Sequence, residues 1–130
     1  MKSKKASKTD VPSGRAISIR QPYVEDILRG GKKYEYRSRP TKIRGRVYLY
    51  ASLGSGAESY WKKLRMQPGD LPAGVIVGSV EIVDCKYFEE DDCYGYKLKN
   101  PRRYRKHLTP KNQPQPLFFF PFGEVIGRRK

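Results

Sequence analysis

Ser18–Pro40 reads SIRQPYVEDILRGGKKYEYRSRP, and within it the apolar period changes once. Just before and into it, AISI (Ala16–Ile19) is a short β-branched run that suits a first strand. QPYVEDILRGG then carries apolar pairs four residues apart, Tyr23 with Ile27 and Val24 with Leu28, as one face of a helix does. Pro22 suits the first helical position, Glu25 and Arg29 are spaced to pair on the outer face, and Gly30 or Gly31 ends the helix. KYEYR next alternates with period two, so Lys33, Glu35 and Arg37 share one face of a strand while Tyr34 and Tyr36 take the other. Strand, helix and strand within two dozen residues predict a mixed α+β fold.

The same alternation recurs downstream. In GRVYLYAS, Val47, Leu49 and Ala51 fall on one face and Arg46, Tyr48 and Tyr50 on the other. ESYWKKLR is a short second helix bearing Trp61, and QPGDLPAG is turn. GVIVGSVEIVDC is a long strand in which Gly78 predicts a bulge or bend. CYGYKL and PLFFFPFGEVIG are later strands, with Pro121 at an edge or bulge. The expected architecture is α+β, mainly β: a small, mostly antiparallel barrel of about five or six strands with short helices at its ends.

The chain has 130 residues, enough for one domain, and a net charge of +15. MKSKKASK at the start and RRK at the end read as a disordered basic arm (1–13) and a basic tail (128–130) around a domain at 14–127. Setting aside those lysines and the terminal RRK still leaves 21 of the 28 basic residues against 13 acidic ones. The charge is clumped. Arg29–Arg46 holds eight basic residues and one acid, Lys97–Lys111 holds seven basic residues and His107, and Glu81–Asp92 carries six acids. Two basic runs around an acidic one predict a polyanion-binding face. No long amphipathic basic helix or lipidation motif favours a membrane, and no apolar run reaches bilayer length. Cys85 and Cys93 are not spaced as a metal knuckle and there is one histidine, so no metal and no cofactor are expected and both cysteines read as thiols in a reducing compartment.

Four motifs in order resemble the ASCH domain family of the PUA-like superfamily. They are the opening stretch with G-x-K-x-x-E-x-R (Gly30, Lys32, Glu35, Arg37), IRGRVYLYAS, GVIVGSVEIVDC, and YGYKLKNPRR, together covering residues 15 to 122. The resemblance implies a PUA-like barrel with a basic cleft beside the first helix, used for nucleic acid. It does not fix one function, since members include RNA-binding modules, nucleases and small amidases acting on 4-acetylcytidine. The amidases match this chain at Lys32 and Arg37 but carry Thr where Glu35 stands. Many members carry Trp where Tyr96 stands.

The residues themselves support a binder. Glu35 between cations would orient the Arg37 fork toward phosphate or a base edge. Gln21 and Tyr23 lie at the helix start, near which a phosphate beside Lys32 is expected. Tyr94, Tyr96 and Tyr104 would stack on bases while Arg102, Arg103 and Arg105 hold the backbone. The expected nucleic-acid-binding set is Gln21, Tyr23, Lys32, Lys33, Glu35, Arg37, Ser52, Tyr96, Arg102 and Arg103. The expected partner is RNA or single-stranded nucleic acid, bound by a monomer in the cytoplasm, or in the nucleus of a eukaryote. Two alternatives stay open. One is a hydrolase, either a metal-independent ribonuclease or a 4-acetylcytidine amidohydrolase, with Lys32, Glu35 and Arg37 as catalytic candidates and Ser18 or Ser52 as a substitute hydroxyl. The other is a protein-interaction module.

Overall fold

A computed structural model describes residues 12–123. Residues 1–11 of the arm expected at 1–13, and the tail at 128–130, lie outside the described residues. The elements run β1 (Ala16–Gln21), α1 (Tyr23–Leu28), β2 (Tyr34–Arg37), β3 (Gly45–Ser55), α2 (Glu58–Lys63), β4 (Val75–Phe88), β5 (Cys93–Leu108) and β6 (Phe118–Phe119). A single 3-10 turn, Glu89–Asp91, joins β4 to β5. The strands form one six-stranded sheet in the order β2-β5-β4-β3-β1-β6, in which β1 and β3 run parallel and the other neighbours antiparallel. β2 and β1 are separated by three strands in that order, yet Arg37 Nη2 donates to the Ser18 carbonyl at 2.8 Å. The sheet therefore curls into a half-barrel, consistent with the expected PUA-like small barrel.

Alternation along β3 divides the apolar residues as the sequence predicts. Val47, Leu49 and Ala51 join the main core with Ile17, Ile19, Val24, Ile27, Val80 and Ile82, while Tyr48 and Tyr50 turn to a second cluster with Ala16, Ile76 and Phe119. α1 covers the main core with Val24 and Ile27 and stops at Gly30, whose φ of +86° suits glycine at a helix end. Pro22 stands just before the helix rather than within it.

Gly78 is where β4 loses register with both neighbours. A Cβ there would run into the Arg102 carbonyl oxygen and stand 3.0 Å from Leu28 Cδ2, so only glycine lets β5 and α1 come this close. β5 is longer than expected. The strand continues through the basic run to Leu108, and Pro101 falls in an irregularity between Ser79 and Glu81, where its missing N–H leaves no ladder bond unmade. β6 is shorter than expected, two residues, and part of the predicted strand, 124–127, lies outside the described residues.

Candidate nucleic-acid interface

Glu35 is buried on β2 and its carboxylate holds two cations. Oε2 accepts from Arg37 Nε at 2.8 Å, and Oε1 lies 3.7 Å from Lys32 Nζ. Arg37 is pinned a second time through Nη2 to the Ser18 carbonyl, so its planar fork is fixed between β2 and β1. Lys32 lies between the rings of Tyr23 and Tyr36, 5.7 and 5.0 Å from their centroids. Burial lowers its ammonium pKa below the ordinary lysine value, although the Glu35 and Asp26 carboxylates oppose the shift.

Glu35 lines one of two hollows, and its partner Lys32 lines the other. The larger, about 670 Å³, is bounded by Ser18 and Arg20 on β1, Tyr23 on α1, Glu35 and Arg37 on β2, Ser52 at the end of β3, and the segment Gln113–Leu117. The smaller, about 340 Å³, takes in Lys32 and Lys33, together with Lys97 and Lys99 of β5. The sequence predicted one cleft holding Lys32, Lys33 and Arg37 together. The structure divides them: Lys32 and Lys33, which precede β2, line the smaller hollow and Arg37 the larger, while the Lys32 ammonium still reaches Glu35 at 3.7 Å.

Other members of the predicted set are placed differently. Gln21 is buried, with Oε1 accepting from the Glu25 N–H at 3.1 Å and Nε2 donating to the Pro72 carbonyl at 3.0 Å, so its amide closes the start of α1 and is not offered to a phosphate. Tyr23 does line the cleft, held there because its hydroxyl accepts from the Ala57 N–H at 3.0 Å. Tyr96 is 0% exposed, its ring lies parallel to Phe118, and its hydroxyl donates to the Arg39 carbonyl at 2.8 Å. It is a core residue, with no free face for a base. Tyr94 leans on Tyr87 and Tyr104 on Tyr48. Arg102 is exposed on β5 and lines neither hollow.

Arg103 has a structural partner. Its two terminal nitrogens donate to the two oxygens of Glu25 at 2.9 and 3.0 Å, and Arg29 Nε adds a third bond at 2.8 Å. The expected Glu25–Arg29 pair thus exists, but Arg103 covers it and Glu25 is buried rather than outward. Burial raises the Glu25 pKa, and the bonds from Arg103 and Arg29 outweigh that and hold it below the ordinary carboxylate value. A depressed carboxylate stabilises the fold above its unfolded pKa and loses that contribution as pH falls through the folded one. Arg103→Ala should therefore cost about 2 kcal/mol at pH 7, the order of a lost charged hydrogen-bond pair, discounted for an arginine about half exposed. The difference from the unaltered chain should shrink at pH 3; urea denaturation at both pH values checks it.

Sequence reasoning missed Arg20 and the Gln113–Leu117 wall. Arg20 was available from the β1 alternation, since it points away from Ile19; the structure lays its guanidinium over Gly54. The wall carries no local signal. It is fixed by two bonds to Ser18 nearly a hundred residues away, Oγ to the Gln115 carbonyl at 2.7 Å and N–H to the Leu117 carbonyl at 2.8 Å.

Among the described residues no His, Cys, Asp and Glu cluster could hold a metal ion, Cys85 and Cys93 are unpaired thiols, and no helix is long and apolar enough to cross a membrane. The family model of the ASCH domain matches residues 17–110, from β1 through the end of β5. The chain is similar to Activating signal cointegrator 1 of human, 28% identical over 125 residues, and to the mouse protein of that name at the same identity. Each match covers 78% of this chain and 22% of the relative, so the chain spans about a fifth of the length of the curated relatives it matches.

Proposed function

Because this chain belongs to the ASCH domain family, we propose that it is a nucleic-acid-binding module that takes RNA or single-stranded nucleic acid in the cleft between β1, β2 and Gln113–Leu117. The observation that carries this reading is the doubly anchored Arg37. One N–H goes to Glu35 and one to the Ser18 carbonyl, which leaves the remaining N–H groups of the fork directed by a rigid frame into a cleft with room for a nucleotide. An arginine held in this way loses little freedom on meeting a phosphate or a base edge. Tyr23 supplies aromatic surface in the same cleft, and Ser52 a hydroxyl. The net charge of +15 adds long-range attraction for a polyanion.

The hydrolase alternative has less support. Glu35 occupies the position where the amidases carry Thr, the Ser18 hydroxyl is donated to the Gln115 carbonyl, and Lys32 lines the smaller hollow rather than the cleft.

The test is binding of short single- and double-stranded RNA and DNA across a salt series, followed by fluorescence anisotropy. Single strands should bind more tightly, with log affinity falling against log salt by about 0.7 per phosphate contacted. Arg37→Ala should lose about 2 kcal/mol of binding, roughly 30-fold. Removing residues 1–9 should weaken binding without abolishing it. Arg37→Ala binding as tightly as the unaltered chain, or complete loss on removing residues 1–9, would refute the cleft as the site.

A further inference from the structure

The smaller hollow is built differently from the cleft. Lys32 and Lys33 reach it from the turn after α1, and Lys97 and Lys99 from β5, over an apolar floor that includes Ile27, Val80 and Leu98. No carboxylate lines it. Among the described residues Lys33, Lys97 and Lys99 have no acidic partner, while Lys32 has Glu35 at 3.7 Å. The acids opposite on β4 form no ion pair with Lys97 or Lys99. Glu81, across from Lys99, is buried and accepts from Asn100 Nδ2 at 2.8 Å, and Asp84, across from Lys97, accepts from the Cys85 N–H at 2.8 Å. Lys33, Lys97 and Lys99, unpaired around one concavity, repel one another, and a multivalent anion relieves that repulsion.

We propose that this lysine-lined hollow is a second binding site, one that holds backbone phosphates of a strand whose neighbouring nucleotide occupies the Arg37 cleft. Compact ammonium charges on flexible stems suit phosphate as a point anion, whereas the fixed Arg37 fork suits directional contacts. Glu35 forms the cleft's wall on the Lys32 side without lining the hollow itself. It lines the cleft with one side of its carboxylate and faces Lys32, which lines the hollow, with the other. A strand crossing that wall passes from the arginine side to the lysine side without leaving the protein. The continuity of the strand rests on the nucleic-acid reading above; the anion site does not, and the two are separable by experiment.

The probe for the site alone is inorganic tripolyphosphate, titrated calorimetrically into the full chain at low salt. Lys97→Ala/Lys99→Ala should weaken binding about tenfold. Lys62→Ala/Lys106→Ala, which removes the same charge from exposed positions lining neither hollow, should weaken it less than about twofold. Equal losses in the two pairs would mean that net charge alone attracts the anion, and would overturn the site. For the strand, the Lys97→Ala/Lys99→Ala chain should bind an eight-nucleotide single-stranded RNA about tenfold more weakly, with its salt slope reduced by about one to two. An unchanged affinity and slope would overturn the continuity. Tripolyphosphate binding with the expected variant pattern, but no binding of RNA or DNA, would support the hollow as an anion site and overturn the nucleic-acid reading.

Discussion

Replacing Tyr96 by alanine should remove about 4 kcal/mol of folding stability, the scale of deleting a large aromatic from a core. The side chain is fully buried near the start of β5. Its ring stacks on Phe118 with centroids 6.3 Å apart and planes 16° apart, which ties β5 to the short β6. Its hydroxyl reaches the Arg39 carbonyl, which ties β5 to the chain leaving β2. Each tie lies next to a cleft residue, Leu117 before Phe118 and Arg37 two residues before Arg39, so the loss loosens the site as well as the core. Tyr96→Phe keeps the ring and removes one hydrogen bond, and should cost about 1 kcal/mol. Urea denaturation of the two variants checks both values. RNA affinity of folded Tyr96→Phe should match the unaltered chain. A variant of unchanged stability with much weaker binding would return Tyr96 to the stacking role that its sequence context suggested.

Tyr96 shows what the sequence left illegible. Period-two alternation sorts a strand's residues into two faces, and it did so correctly along β3. It does not say which face is covered when a sheet curls and both faces bury aromatics. KYEYR illustrates the success. Glu35 and Arg37 bond on one face, and Tyr34 and Tyr36 pack against Phe88 over Gly95 on the other, leaving Tyr36 half exposed. YGYKL alternates in the same way, but its aromatic at position 96 points inward, where Phe118 stacks on it and the Arg39 carbonyl takes its hydroxyl. Gly78 was legible because a glycine inside a β-branched run needs a local reason, and the close approach of β5 supplies it. The burial of Glu25 was not, since its second partner, Arg103, lies 78 residues away in a run that reads as solvated charge. The split of the basic run at Lys32–Arg37 into two hollows was hidden for a related reason. Spacing along the chain fixed the pairing to Glu35, whereas the direction of each cation depends on the curl that brings β2 beside β1.

Glu35→Ala should cost about 3 kcal/mol of stability at pH 7, the scale of leaving a largely buried ion unpaired. The carboxylate is 9% exposed and holds Arg37 and Lys32, whose side chains are 27% and 13% exposed. Without it Arg37 keeps its bond to the Ser18 carbonyl, but Lys32 stays buried with only the more distant Asp26 to oppose desolvation. Burial already lowers the Lys32 pKa, and Glu35 is the main influence acting against it. Its removal should lower that pKa further. A base whose folded pKa lies below its unfolded one binds more protons when unfolded, so stability rises with pH between the two values. The deficit of Glu35→Ala relative to the unaltered chain should therefore shrink as pH is raised from 7 toward 10, and Glu35→Ala/Lys32→Met should be more stable at pH 7 than Glu35→Ala alone. A deficit that stays constant with pH would show that Lys32 does not depend on Glu35. Binding of the folded variant then decides what the carboxylate does for the ligand. If Glu35 only dilutes a basic face, removing it tightens RNA binding; if it holds the Arg37 fork in place, removing it weakens binding despite the added positive charge. The second outcome is expected, because one of the two bonds that fix Arg37 is made to Glu35.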